Sequence, residues 1–332
     1  MHADPFQGVP KKRSACIRGV VKANRTAGYN STIPVKATRI SEPLNELLAL
    51  LDLEPLEVNI YRGQNRDIGT GRVFGGQVFA QALVAAQRTV EAARDAHSVH
   101  GYFLRPGDLT TPIVYFVDRP RDGGSFTSRR VTAIQHGEAI FHLSASFHLH
   151  QPGLEHQTAM PDAPDPESLP RELDLVREMA DRIPEHLRPI LTQDRPLDFR
   201  PVQPQDPFVG EKREAHRMVW FRAVDKLPDA QMYHSALLAY ASDYGLLPTA
   251  LYPHGIPYRD PRLMMASIDH SLWLHRPFRA DEWLLYVMDS PVAAGARGFT
   301  RGTIYSRDGR LVASVAQEGL MRIKGFDTTS DK

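Results

Sequence analysis

The chain has 332 residues, 42% of them hydrophobic and 24% charged, with a net charge of +1 and a single cysteine, Cys16. Such usage excludes a chain disordered throughout, a disulfide-stapled scaffold and a global positive field for nucleic acid or anionic membrane. No apolar run approaches the ~20 residues of a membrane helix, and the N-terminus has no secretory-type apolar segment, so the expected compartment is the cytoplasm. The ending TTSDK is not the Ser-Lys-Leu address of peroxisomes.

In chain order, residues 1–40 come first. They hold Lys11, Lys12, Arg13, Arg18, Lys22, Arg25, Lys36 and Arg39 against Asp4 alone, with no helical or strand period, and read as a disordered basic leader. Order begins near Ser41, where SEPLNELLALLDLEPLE places an N-cap serine before a short amphipathic helix. FGGQVFAQALVAAQ has little polar surface on any side, the mark of a buried helix. Strand-like segments follow, HGYFLRPGDLTTPIVYFVDRP and SFTSRRVTAIQHGEAIFHLSASF, with a hairpin turn expected at His136-Gly137. Residues 151–195 are rich in proline and charge and read as a linker with one helix from about Arg171 to Arg182.

The same order then recurs. ALLAYASDYGLLPTAL, 236–251, is a second buried helical stretch, followed by HSLWLHRPFRADEWLLYVMDS and GFTRGTIYSRDGRLVASVAQEGLM with a turn at Asp308-Gly309. Arg105-Pro106 and Arg276-Pro277 lie 171 residues apart, as do Tyr115 and Tyr286, and Asp118 and Asp289. One supersecondary unit has been used twice. Long antiparallel strands need one face covered, so each unit is expected to be a curved antiparallel sheet around a central helix, over 41–150 and 196–325.

Asp243 stands out in the second helix. Helical spacing puts it on one face with Ala236, Ala239, Tyr240, Leu246 and Leu247, and a carboxylate pressed against such a face must find hydrogen bonds, keep a proton or do chemistry. By itself it is more readily a residue bonded to nearby backbone than a functional group.

The strings YRGQ, RVFGGQVFAQAL, HSVHGYFLRPGD, GSFTSRRVTAIQHGEAIFHLSASF, YASDYGLLPTAL, SIDHSLWLHRPF and ARGFTRGTIYSRDGRLVASVAQEGLMR, spread over about residues 43–322, resemble the type II acyl-CoA thioesterases, the TesB-like double hotdog family. The resemblance implies an α+β double hotdog, two antiparallel sheets each wrapped around a central helix and packed side by side. It also implies hydrolysis of acyl-CoA to fatty acid and CoA, with no cofactor and no metal. The implied partners are the acyl-CoA substrate and further copies of the chain, with no nucleic acid and no membrane span. The family's water-holding set falls on Asp243, Ser267 and Gln317, with serine where the family often has threonine.

These residue types suit the chemistry. A carboxylate can take the proton of a water attacking a thioester, an amide and a hydroxyl can fix that water's direction, and a thiolate leaves without strong acid help. The oxyanion needs donors, for which backbone N–H groups opening a helix, at Gly76 and Gln77, are candidates. His97 is a second candidate for a base or nucleophile. Gln317 stands eight residues past Gly309, whereas the position eight past Gly137 is Ala145, so the catalytic polarity is expected to concentrate in the second half, with the first supplying walls and the oxyanion site. Arg105 and Arg276 read as staples of strand ends, and His148, His150 and His156 lack the partners of a metal set. Two alternatives remain: a noncatalytic acyl-CoA-binding module, and an acyl-thioester hydratase, which needs a histidine beside the acid and finds only His234, nine residues before Asp243.

Overall fold

The computed structural model describes residues 40–325; the basic leader, Cys16 and the last seven residues lie outside the described residues. Helix α1 (Glu42–Leu51) begins at the expected N-cap, Ser41, and buries Leu44, Leu47, Leu50 and Leu51. The serine hydroxyl makes no capping bond. Ser41 is held instead by its backbone N–H, which donates to Asp225 Oδ2 at 2.8 Å.

The first half continues with β1 (Glu54–Glu57), β2 (Ile60–Gly63), α2 (Gly75–Gln87), β3 (Arg94–Phe103), β4 (Ile113–Asp122), β5 (Phe126–Gln135) and β6 (Glu138–Leu149). Helices α3 (Glu172–Glu178) and α4 (Arg188–Thr192) lie between the halves. The second half comprises β7 (Leu197–Pro201), β8 (His216–Ala223), α5 (Gln231–Ser242), β9 (Leu263–Ser267), β10 (Asp269–Leu274), β11 (Leu284–Ala294), β12 (Arg297–Ser306) and β13 (Leu311–Ile323).

All thirteen strands join one antiparallel sheet in the order β1-β2-β4-β5-β6-β3-β10-β13-β12-β11-β8-β7, with β9 added on β13. Where two side-by-side sheets are expected from the sequence, the halves run together through β3 and β10. Pairing these two edges satisfies backbone groups that each half would otherwise leave open. The order is a palindrome, and at its centre His100 faces Ser271, its own counterpart at the offset of 171. That self-pairing is what a two-fold relation between the repeats requires.

The hairpins differ in detail. His136 and Gly137 have φ of 51° and 77°, both left-handed, as a two-residue turn matched to strand twist demands. The second turn spans Arg307–Arg310, and there only Gly309, at 85°, takes a positive φ. The strand-end arginines match across the repeat. Arg105 Nη1 donates to the Ala139 carbonyl at 2.7 Å, and Arg276 Nη1 to the Leu311 carbonyl at 3.0 Å.

Helix α2 is buried along its length from Gly76 to Ala86, packed on β2 to β6 and on α5. The stretch 236–251 is not one helix. Helix α5 ends at Ser242, Gly245 turns the chain at φ 74°, and a 3-10 helix runs over Leu247–His254, with Pro248 in its first turn. Asp243 is therefore the C-cap of α5, at the mouth of a turn.

The linker is tied down by Glu172. Its Oε1 accepts from the Tyr244 hydroxyl at 2.6 Å and from Arg195 Nη1 at 3.1 Å, and its Oε2 accepts from Arg217 Nη2 at 3.2 Å. Replacing Glu172 with alanine leaves two largely buried guanidiniums without their anion. The expected cost is about 3 kcal/mol, read as a lower urea midpoint at unchanged slope.

Candidate active site

The two ends of the buried helices meet. The N-terminus of α2 abuts the C-terminus of α5 so closely that a Cβ on Gly76 would run into the Tyr240 carbonyl oxygen, and one on Gly75 would lie 2.8 Å from Asp243 Oδ2. The FGGQ pair is thus explained by approach: only glycine lets the two helices touch. The backbone N–H of Gly76 donates to the Asp243 carboxylate, where the positive end of α2 also favours negative charge.

Strands β9 and β13 bring up the other two side chains. Ser267 ends β9 opposite Gly319, and Gln317 lies two residues earlier on β13. Gln317 Nε2 donates to Asp243 Oδ1 at 2.7 Å and to Ser267 Oγ at 3.0 Å, across 74 and 50 residues of sequence. One amide nitrogen therefore joins all three side chains. Both its hydrogens are used, so Ser267 accepts from Gln317 and its own O–H remains available as a donor.

Asp243 and Ser267 line a cavity of about 770 Å³, whose wall also includes Phe74, Gly75, Tyr240 and Leu247. Gln317 is fully buried and stands behind them, off the cavity wall. The Asp243 side chain is only 7% exposed. Burial pushes its pKa up to about 6, against the bonds from Gln317 and Gly76 that favour the ionised form.

The remaining candidates sit elsewhere or are already engaged. The Gly76 N–H is given to Asp243, and that of Gln77 donates to the Phe74 carbonyl at 3.1 Å. The Gln77 side chain is turned to the YRGQN loop, donating to the Gln64 carbonyl at 3.2 Å and to Asn65 Oδ1 at 3.1 Å. His97 bonds Ser146 Oγ at 2.8 Å beside the rings of Phe126 and His148, and is not on the cavity wall. It occupies a bulge between Ala96 and Ser98. At the repeat offset this matches Ile268, where the chain passes from β9 to β10, so Ala96 and Ala145 stand where the second half has Ser267 and Gln317. His234 accepts from the Ala280 N–H at 3.0 Å, away from Asp243.

Sequence reasoning missed His270. It is fully buried, with Nδ1 3.9 Å from Asp243 Oδ1 and Nε2 2.8 Å from Ser242 Oγ. The alternation of His270, Leu272 and Leu274 on β10, all buried, is the signal that places it inward.

Comparisons with known proteins agree in kind. Residues 187–320 match the family model described as acyl-CoA thioesterase, and residues 64–148 that of the acyl-CoA thioesterase N-terminal domain. Acyl-CoA thioesterase 2 of Haemophilus influenzae is 41% identical over 283 residues, 85% of this chain and 99% of that protein. The crystal structure of acyl-CoA thioesterase II TesB2 from Mycobacterium marinum superposes with a TM-score of 0.69 at 44% identity, covering 84% of this chain and 99% of that one. A hot dog fold protein from Alicyclobacillus acidocaldarius, at 20% identity and a TM-score of 0.66 over 83% of this chain and 98% of that one, shares the fold. Sheet and relatives define the class, a hotdog-fold protein of the thioesterase type. This chain belongs to the type II acyl-CoA thioesterase family. Among the described residues no helix is long and apolar enough to cross a membrane.

Proposed function

We infer that this chain hydrolyses acyl-CoA thioesters to free fatty acid and CoA, using a water held at Asp243 and Ser267. The observation that carries the reading is the double donation of Gln317 Nε2, which fixes a carboxylate and a hydroxyl side by side on one cavity. Asp243 takes the water's proton as its oxygen bonds to the thioester carbon, and the Ser267 O–H holds the water's lone pair. Both amide hydrogens of Gln317 go to Asp243 and Ser267, so it acts by holding the other two. The C–S bond then breaks, and the sulfur carries away the electron pair.

In this reading the two halves are hotdog units over 41–150 and 196–325, each half of the sheet curved around its own helix, with the catalytic side chains in the second. The first half contributes α2, whose Gly76 amide steadies the Asp243 charge, and the oxyanion donors remain a proposal for the cavity wall beside Gly75. Strands β1 and β7, which end the sheet, offer open ladders to a second copy of the chain. Hydration is the weaker reading, because His270, the histidine beside the acid, is sealed behind Asp243 and cannot reach a substrate in the cavity.

A thiol-release assay over acyl-CoA lengths tests the reading. Free CoA and fatty acid should form in equal amounts, with no hydroxyacyl-CoA. Gln317→Ala should lower kcat by roughly 10- to 100-fold and leave KM within about twofold, since it removes a support and no substrate contact. Binding without turnover at every chain length would end it.

A further inference from the structure

One buried titratable group beside the site has no part in the chemistry above. The imidazole of His270 is fully buried, edge-on to the Phe79 ring at a centroid distance of 4.7 Å, and burial pushes its basicity down to about 3, so it is neutral. Its tautomer follows from Ser242. That hydroxyl has one hydrogen, donated to the Ala239 carbonyl at 2.9 Å, so the 2.8 Å contact with His270 must be an Nε2–H donated to the serine oxygen. Nδ1 then carries a lone pair. It has no hydrogen-bond partner among the described residues, and it points to Asp243 Oδ1 from 3.9 Å, the spacing of two acceptors that oppose each other rather than bond.

We propose that His270 is a positioning residue acting through Asp243: its Nδ1 lone pair opposes the ionised carboxylate and so makes Asp243 a stronger base toward the water. The inference rests on the reading of Asp243 as that base. The water's O–H bond breaks and its proton goes to the carboxylate, which lowers the charge facing Nδ1. After the C–S bond breaks, the same proton ends on sulfur. His270 gains and loses no proton in the cycle.

The groups facing Asp243 are the Gly76 N–H from α2, Gln317 from β13, Ser267 from β9, His270 from β10, and the phenols of Tyr240 on α5 and Tyr286 on β11. Burial drives both phenols upward, Tyr240 to about 12, so neither ionises in the working range. An acid limb in the pH profile of kcat therefore reports Asp243.

The test compares two variants with wild type. His270→Gln keeps an N–H for Ser242 and removes Nδ1; His270→Asn puts its Oδ1 where Nδ1 lies. In His270→Gln the acid limb of kcat should move about one pH unit lower, with plateau kcat down roughly threefold to tenfold and KM within about twofold. In His270→Asn the limb should stay at the wild-type pH. A limb unmoved in His270→Gln, or moved equally in both, would overturn the proposal. If His270→Gln does not fold, His270→Asn carries the test alone, and a displaced limb there overturns it. The two readings fail separately: an active Asp243→Asn removes the base itself, whereas an inactive Asp243→Asn with an unmoved His270→Gln limb removes only the role of His270.

Discussion

Asp243→Asn is expected to abolish thiol release, by roughly 10²- to 10⁴-fold in kcat, while leaving a protein that is more stable at neutral pH. Both halves come from the same burial. The amide keeps the shape of the carboxylate and can still meet one of its donors, but it cannot take a proton from water. The stability gain follows from linkage. In the folded state the pKa of Asp243 is pushed up to about 6, above the ordinary carboxylate value of 3.8, so the folded chain holds this proton more tightly than the unfolded one. The unfolded state therefore binds fewer protons between these two values, and stability falls as pH rises from about 4 to about 6. Above that window wild type carries a constant deficit on the order of 2–3 kcal/mol, which the asparagine variant escapes. Urea titrations at about pH 4 and about pH 8 should give nearly equal midpoints for the two proteins at the lower pH and a higher midpoint for the variant at the upper. Wild-type kcat should rise through about pH 6 and level off, as the ionised carboxylate accumulates. A variant with wild-type turnover would remove Asp243 from the mechanism, and one with equal midpoints at both pH values would contradict the buried charge.

Gly76→Ala should damage fold and rate together. A Cβ there meets the backbone carbonyl of Tyr240, which cannot swing aside as a side chain would, and the Phe74 ring at 2.5 Å. The start of α2 must lift off the end of α5, withdrawing the N–H that serves Asp243. Overpacking of this kind costs about 1–3 kcal/mol, and a displacement of about 1 Å at a catalytic group costs on the order of 100-fold in rate. Gly124→Ala is the contrast, since a Cβ at Gly124 meets nothing within 4 Å; its midpoint should stay within about 0.5 kcal/mol of wild type. If Gly76→Ala matched Gly124→Ala in both urea midpoint and kcat, the contact between the helix ends would have no bearing on the site.

Local pattern made much of this readable. The apolar stretches identify α2 and α5 as buried, and the fixed offset of 171 between Arg105 and Arg276 shows the repeat. The linker helix was expected from about Arg171 to Arg182, and α3 with its 3-10 extension covers Glu172–Glu178 and Ala180–Arg182. Other features resisted. The 236–251 stretch reads as one helix because its composition is uniformly apolar, yet the left-handed Gly245 ends it at Asp243. His270 has no motif to mark it within SIDHSLWLHRPF, although its strand parity points inward with Leu272 and Leu274. The buried cluster of Glu172, Arg195, Arg217 and Tyr244 had no local signature at all, since its members come from four separate segments.

Sequence alone determined the element types, their duplication and the presence of one carboxylate on an apolar face, because helical and strand periods and turn residues are written within a dozen neighbouring positions. Tertiary structure decided the rest: that β3 and β10 close into a single sheet, that Gly76 reaches Asp243, and that an amide 74 residues away holds the acid and a serine hydroxyl together. Such contacts depend on how helices dock and strands register across the whole chain, and no local period encodes that distance.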